Sequence, residues 1–322
     1  MFDYHQPIHT SERFTLSIDK MVIDYRLSDL NTVTALGQLL DMLPIRFAVS
    51  TKHWESYKIG SFRENFTITF QNNDSFWIGV ILNCSTTEYS RVRLEINPNK
   101  CASHNSFLSV LGFLNQHSRP MHTAIKRFDL AVDIAVERES ARLIKDGRVY
   151  SARKHGKEWT EYLGQTSHIG RVKLYNKAAE AKLPIPLTRL EVTLDPATPF
   201  DKLPWPKAYY IRSQQVSMAE VNITDTERYI LSALLAGHGN TKDLCRKTRE
   251  KMERLLNQYV QYITISKTDY DLVQAHLRAF LAYPANDLDL GRLDSDQPPT
   301  PRPPLPAWVD EAAHLPSDAV LP

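Results

Sequence analysis

Polar and apolar residues alternate along four short segments of the chain. In each segment most odd positions carry a charged or hydroxyl-bearing side chain and most even positions an apolar one; the segments are residues 93–97, 127–133, 172–177 and 189–194. Because successive side chains of a β-strand point to opposite faces, each segment predicts a strand with one apolar and one polar face. If the four strands pair in one sheet, carboxylates, cations and a tyrosine share one surface. Such a surface is costly unless a metal ion or a phosphate group neutralises it.

The residues around these segments, up to about residue 220, predict further strands and a few helices. The predicted strands are residues 20–27, a hairpin of 66–70 and 76–82, and 91–97. The predicted helices are residues 28–43, with Ser28 as N-cap, and residues 104–115. A long stretch, residues 137–166, precedes the strands of Tyr175 and Glu191. Short turns and segregated helices favour an α+β fold with an antiparallel sheet over a doubly wound fold.

After residue 222 the pattern becomes helical. Thr224 begins a first helix as N-cap, the glycines of residues 237–239 interrupt it, and a second, basic helix runs from Asn240 or Thr241 to about Tyr262. This pair is either a helix-turn-helix reader of DNA or an αα-hairpin packed on the sheet. We therefore predict a sheet domain over residues 1–220, a helical segment for DNA binding or dimerisation over 221–284, and a disordered proline-rich tail over 285–322.

Composition changes this picture mainly through the distribution of charge. The net charge is +2, but residues 285–322 hold seven acidic and two basic side chains, so the tail carries −5 and the preceding residues +7. A basic body with an acidic tail suits a polyanionic ligand. The three cysteines form no CxxC pair, and we find neither a signal sequence nor a run of about 18 apolar residues. We expect a soluble protein of the bacterial cytoplasm.

The carboxylates at odd positions are candidate metal ligands: Glu95, Asp129, Asp133 and Glu191. Mg²⁺ and Mn²⁺ take oxygen ligands, commonly one or two carboxylates together with water and phosphate. The alternative is that each acid is a surface residue paired with an arginine of the same strands.

Tyr175 is the candidate nucleophile. A phenol has a pKa near 10 and needs nearby cations or a metal before it attacks phosphorus at neutral pH. Lys173 and Lys177 lie two residues either side of Tyr175 and, in a strand, on its face. The alternative is a packing residue, and composition alone does not rank Tyr175 above Tyr162.

Five segments in order resemble the Rep_trans family of rolling-circle replication initiators of small plasmids, with relatives in filamentous phages and conjugative elements. They are residues 94–100, 127–133, 162–164, 174–180 and 189–191, and the resemblance covers roughly residues 90–195. The resemblance implies that Tyr175 nicks origin DNA, forming a 5′-phosphotyrosyl link and a free 3′-hydroxyl, and later rejoins the strand. Residues 165–168 depart from the family pattern, and Lys173 stands where an arginine is frequent. No HxH pair occurs, so the histidine-ligated metal of the HUH nucleases is not expected.

These observations predict a metal-dependent DNA-nicking enzyme. Asp129 and Glu191, helped by Glu95 and Asp133, would bind Mg²⁺ or Mn²⁺, and Lys173 and Lys177 would assist Tyr175. The candidate DNA-binding residues are Lys100, Arg127, Arg189, Lys242, Arg246 and Arg249. The predicted partners are double-stranded origin DNA and single-stranded DNA, and the resemblance adds a second copy of the chain and a host helicase. A relaxase-like nickase for conjugative transfer and a non-catalytic DNA-binding regulator remain as alternatives.

Overall fold

In a computed structural model, which describes most of the chain, the chain forms two compact units. The described residues are 7–11, 13–27, 30–56, 62–81, 90–118, 123–156, 158–212, 223–236, 239 and 241–284. The first unit comprises residues 1–132, 193–203 and 267–322, and the second comprises residues 133–192 and 204–266. Every strand pairing whose register is resolved is antiparallel, and the helices are segregated, so the predicted α+β class is confirmed.

The first unit is built on an antiparallel sheet. Its strands are β1 (His9–Thr10), β2 (Thr15–Leu27), β3 (Val49–Glu55), β4 (Glu64–Phe70), β5 (Ser75–Ile81), β6 (Ser90–Ile96) and most of β7 (Ala124–Ile134). The order is β3-β4-β5-β6-β2-β7, with β1 beside β2. Ile68 pairs with Phe76, which confirms the predicted hairpin. The helices of this unit are α1 (Leu30–Arg46), α2 (Pro98–Cys101), α3 (Asn105–His117) and α7 (Lys267–Leu281).

The core of the first unit follows the predicted helical spacing. Phe107, Val110, Leu111 and Leu114 of α3 are fully buried, and each such side chain contributes roughly 1.5–3 kcal/mol through removal from water. Strand β2 begins five residues before its predicted start, since Thr15 to Ile18 are buried on both faces and show no alternation. The predicted N-cap Ser28 lies outside the described residues.

The second unit contains two antiparallel sheets. Its larger sheet has the order β12-β11-β10-β9, formed by β9 (Tyr150–His155), β10 (Glu158–Leu163), β11 (Val172–Asn176) and most of β12 (Thr188–Leu194). The smaller sheet has the order β14-β13-β8, formed by β8 (Ala141–Leu143), β13 (Ala208–Ile211) and β14 (Val260–Tyr262). Helix α4 (Lys177–Ala181) directly follows β11. The stretch 137–166, to which the sequence analysis assigned no element, therefore contains three strands, β8, β9 and β10.

A helical hairpin completes the second unit. Helix α5 (Asp225–Leu235) begins with a capping box in which Thr224 and Glu227 each bond the other's backbone N–H, so the predicted N-cap is confirmed. Helix α6 (Arg246–Tyr259) begins later than predicted, because a 3₁₀ turn at Thr241–Asp243 precedes it. The apolar sides of both helices pack against Tyr209 and Val260 of the smaller sheet. This packing matches the αα-hairpin alternative, while DNA reading by α6 stays a prediction.

Two further points concern the tail and membrane-spanning helices. The predicted disordered tail, residues 285–322, lies outside them. Within them, no helix combines the length and the apolar character that a membrane crossing requires.

Candidate active site

Three polar side chains of the second unit meet on one face of its larger sheet. Strands β11 and β12 pair with Lys173 opposite Glu191 and Tyr175 opposite Arg189. The Tyr175 hydroxyl donates a hydrogen bond to Glu191 Oε1 at 2.5 Å, and Lys173 Nζ donates to Glu191 Oε2 at 2.5 Å. The Glu191 side chain is only 3% exposed, whereas that of Lys173 is 35% exposed. The phenol and the ammonium therefore each bind one oxygen of a buried carboxylate.

This geometry is suited to proton transfer from the phenol. A short hydrogen bond between a hydroxyl and an ionised carboxylate is charge-assisted, and the proton already points at its acceptor. A general base must lie within hydrogen-bond reach of the proton that it removes, and Glu191 meets this condition for Tyr175. Lys173 adds a positive charge where a phenolate or a phosphate oxygen would carry a negative one.

Asp133 and Arg189 form a second buried pair in the same unit. Arg189 donates from Nε and Nη2 to the two carboxylate oxygens of Asp133, both at 2.6 Å. Bidentate arginine–carboxylate pairs of this kind are strong and geometrically specific. Arg189, a predicted DNA contact, thus binds both oxygens of Asp133, a predicted metal ligand; either predicted role would require this pair to open.

The other two predicted ligands belong to the first unit and also have protein partners. Asp129 accepts a hydrogen bond from Thr193 Oγ1 at 2.7 Å, and Glu95 forms an ion pair with Lys20 at 2.7 Å. Across the part of the chain that the structure describes, no three His, Cys, Asp or Glu side chains are grouped so as to hold a metal ion. The arrangement present thus does not fit a metal held by all four acids, and the metal ligands stay a prediction.

Most predicted cations have partners close by. Lys177 is the first residue of α4 rather than the end of β11, because the Asn176 side chain caps this helix; its ammonium pairs with Glu180 at 2.6 Å. Lys100 pairs with Asp74 and Arg246 with Glu250. Arg249 donates to carbonyls of the turn before α6, which also contains Lys242, while Arg127 lies in β7. DNA binding by these residues stays a prediction.

A buried cluster on the opposite face of the same sheet was not anticipated from the sequence. Arg138 Nη2 donates to Glu161 Oε2 at 2.6 Å, and the Tyr150 hydroxyl donates to Glu161 Oε1 at 2.9 Å. The Arg138 guanidinium also lies 4.2 Å from the centre of the Trp159 ring. Burial and the Glu161 carboxylate raise the pKa of Tyr150 to about 12, which argues against Tyr150 as a nucleophile. The sequence gives one signal of this cluster: Glu161 stands between the apolar residues Trp159 and Leu163 on the same face of the strand.

Tyr162, the rival nucleophile, lies on the same face as Tyr175 but in a different environment. It stands opposite Lys173 in the pairing of β10 and β11, and its ring contacts the guanidinium groups of Arg153 and Arg171. Among the described contacts its hydroxyl has no carboxylate acceptor, in contrast to that of Tyr175. The geometry therefore favours Tyr175.

Comparison with known proteins adds a weak structural similarity. No protein-family model matches the chain, and no curated protein matches its sequence. A solved structure of a rolling circle replication initiator protein from Geobacillus stearothermophilus is 15% identical to it. The alignment covers 83% of this chain and 96% of that one, with a TM-score of 0.34. A similarity of this size establishes neither a family nor an activity for the chain.

Proposed function

We propose that the chain is a DNA-nicking and strand-transfer enzyme that initiates rolling-circle replication, with Tyr175 as its nucleophile. The observation that carries the proposal is the Tyr175 hydroxyl bonded to a buried Glu191 carboxylate, whose other oxygen binds Lys173. The ordered sequence segments that resemble rolling-circle initiators support it independently. The proposed nicking portion is residues 1–220, with residues 221–284 for origin binding or dimerisation.

In the proposed reaction, the Tyr175 proton passes to Glu191 Oε1 as the phenol oxygen attacks phosphorus of one DNA strand. The new bond joins the phenol oxygen to phosphorus, the bond from phosphorus to the 3′ oxygen breaks, and that oxygen takes a proton from solvent. Lys173 offsets negative charge that develops on the phosphate. The products are a 5′-phosphotyrosyl link and a 3′-hydroxyl primer, and the reverse reaction rejoins the strand without ATP.

The metal and partner assignments belong to the same proposal. Bound Mg²⁺ or Mn²⁺ would stabilise the charge of the scissile phosphate. The alternating pattern of the sequence offers Asp129 and Glu191, helped by Glu95 and Asp133, as its ligands, and the resemblance maps a family acid onto Asp129 alone. The described residues do not group these acids around one ion. Origin DNA, a second copy of the chain and a host helicase are partners implied by the resemblance alone.

The test is covalent capture of DNA. The full chain is incubated with Mn²⁺ and a randomised pool of single strands labelled at the 3′ end, then run on a denaturing gel. The 3′ label is chosen because a 5′-phosphotyrosyl link retains the downstream fragment. We expect a labelled protein band for the wild type and for Tyr162→Phe, and no band for Tyr175→Phe.

Other outcomes lead to different conclusions. A band that persists in Tyr175→Phe and disappears in Tyr162→Phe would move the nucleophile to Tyr162. No band with any variant, together with reversible and salt-sensitive binding of the same pool, would favour the non-catalytic regulator. A relaxase-like nickase gives the same covalent band and is distinguished by whether DNA carrying the captured sequence replicates or transfers when the chain is supplied.

A further inference from the structure

One row of paired residues crosses the larger sheet of the second unit and ends at the candidate active site. Ser151 stands opposite Tyr162, Tyr162 opposite Lys173, and Lys173 opposite Glu191. Residues opposite each other on neighbouring strands project from the same face of the sheet. With strands about 4.8 Å apart, the backbone of Tyr162 is roughly 10 Å from that of Glu191. Tyr162 is thus beside the Tyr175–Glu191–Lys173 group, on the same face.

Two arginines lie against the Tyr162 ring. The guanidinium carbons of Arg153 and Arg171 are 5.8 and 5.3 Å from its centre. Within the described part of the chain, no carboxylate forms an ion pair with either of them, and Arg171 Nε is buried with no hydrogen-bond partner. Other arginines of this unit, including Arg138 and Arg189, do have carboxylate partners.

The loop before β11 places Arg171 in this position. Gly164 has a φ of +80°, and a Cβ added there would lie 3.3 Å from Arg171 Cα. A larger residue would be strained at that φ and would press on the Arg171 backbone. The glycine two residues after Tyr162 therefore permits the close approach that brings Arg171 to the Tyr162 ring.

We propose that Arg153, Tyr162 and Arg171 bind single-stranded DNA beside the candidate active site. The Tyr162 ring stacks on a base, and the two guanidinium groups bind flanking phosphates. Aromatic rings combined with cations that follow the backbone are the common means of holding unpaired strands, and a guanidinium fork matches the geometry of phosphate oxygens. The choice of DNA rests on the proposed function, whereas the site itself rests on the ring, the unpaired guanidiniums and their position in the row.

Binding is measured in a background that cannot react. Full-length Tyr175→Phe protein is titrated with fluorescein-labelled oligodeoxythymidine of twenty nucleotides, by fluorescence anisotropy, at several salt concentrations. Either Arg153→Ala or Arg171→Ala, added to this background, should weaken binding. Each should also make the negative slope of log K against log salt less steep by about 0.7, which corresponds to the loss of one phosphate contact on a single strand. Tyr162→Leu should weaken binding about 5- to 150-fold, and Tyr162→Phe, which keeps the ring, by less than about twofold.

Lys154→Ala is the matched control. Lys154 follows Arg153 in the same exposed strand but projects from the opposite face, so its loss should leave the slope unchanged. Arg171→Lys, which keeps the charge, should retain most of the slope and separates loss of charge from loss of folding. Unchanged slopes in both arginine variants, or equal losses in Lys154→Ala, would overturn the site. Because the protein used cannot form the covalent link, the result is independent of whether Tyr175 nicks DNA.

Discussion

The two faces of the larger sheet in the second unit carry the same hydrogen-bond pattern with different surroundings. On one face a tyrosine and a lysine bind the two oxygens of Glu191; on the other, a tyrosine and an arginine bind the two oxygens of Glu161. Both carboxylates are at most 5% exposed, but the cation is 35% exposed in Lys173 and fully buried in Arg138.

The difference shows what separates a structural cluster from a candidate site. Arg138 also donates to the carbonyl of Ala141 and lies against the ring of Trp159, so its guanidinium is surrounded by protein and out of reach of a ligand. Lys173 is exposed enough to reach a ligand without unfolding the strand. The hydrogen-bond pattern alone therefore does not indicate chemistry; accessibility of the cation does.

Replacing each of the two glutamates by glutamine should give the largest difference between the two faces in capture rate and melting temperature. Glu191→Gln removes the proton acceptor of Tyr175, so the rate of covalent DNA capture should fall by about 10²–10⁴ with little change in melting temperature. Glu161→Gln should do the opposite, lowering the melting temperature and leaving the rate for folded protein near that of the wild type. A Glu161→Gln variant that folds normally but captures no DNA would reverse the roles of the two faces.

Replacing the cation on each face should lower the free energy of unfolding by different amounts. Arg138→Met leaves Glu161 buried without its ion-pair partner and should cost about 3–5 kcal/mol in the free energy of unfolding. Lys173→Met also leaves a buried carboxylate, Glu191, without its ion-pair partner, but the partly exposed Lys173 position lets water reach that carboxylate, so the cost should be smaller, about 1–2 kcal/mol. Urea unfolding of both variants measures this, and equal losses would contradict the comparison.

The Tyr150 hydroxyl should leave a signature at high pH. Its pKa is raised from 10 to about 12 in the folded protein, by burial and the Glu161 carboxylate. The protonated phenol is therefore favoured by folding: its contribution is complete below pH 10 and is lost as pH rises from 10 to 12. Because Tyr150 is partly exposed, we discount the full shift to about 1 kcal/mol.

The measurement is urea unfolding of the wild type and Tyr150→Phe between pH 9 and 12. The wild type should lose more stability than Tyr150→Phe over this interval. Identical profiles for the wild type and Tyr150→Phe would mean that Glu161 does not hold this hydroxyl.

Alternation along the chain predicted the strands of the polar face but not all of its partners. It placed Tyr175, Lys173 and Glu191 in strands correctly, because these side chains interrupt apolar runs at every second position. It did not foresee Arg138 with Glu161, since these residues are 23 apart and their contact depends on how the chain packs, which local alternation does not encode. Whether Asp133 faces a metal or Arg189 also depends on pairing across 56 residues, which local spacing does not encode.

The smallest expected effect comes from making the two faces chemically alike. Lys173→Arg places an arginine on Glu191, as on Glu161, but at an exposed position. Since the positive charge and a donor to Glu191 Oε2 persist, we expect covalent capture within about tenfold of the wild type. The reciprocal Arg138→Lys should be destabilising, because an ammonium does not reproduce the bonds of the guanidinium to both Glu161 and the Ala141 carbonyl. If Lys173→Arg lost more than about 100-fold, the compact ammonium itself, rather than an accessible charge, would distinguish the candidate site from the core cluster.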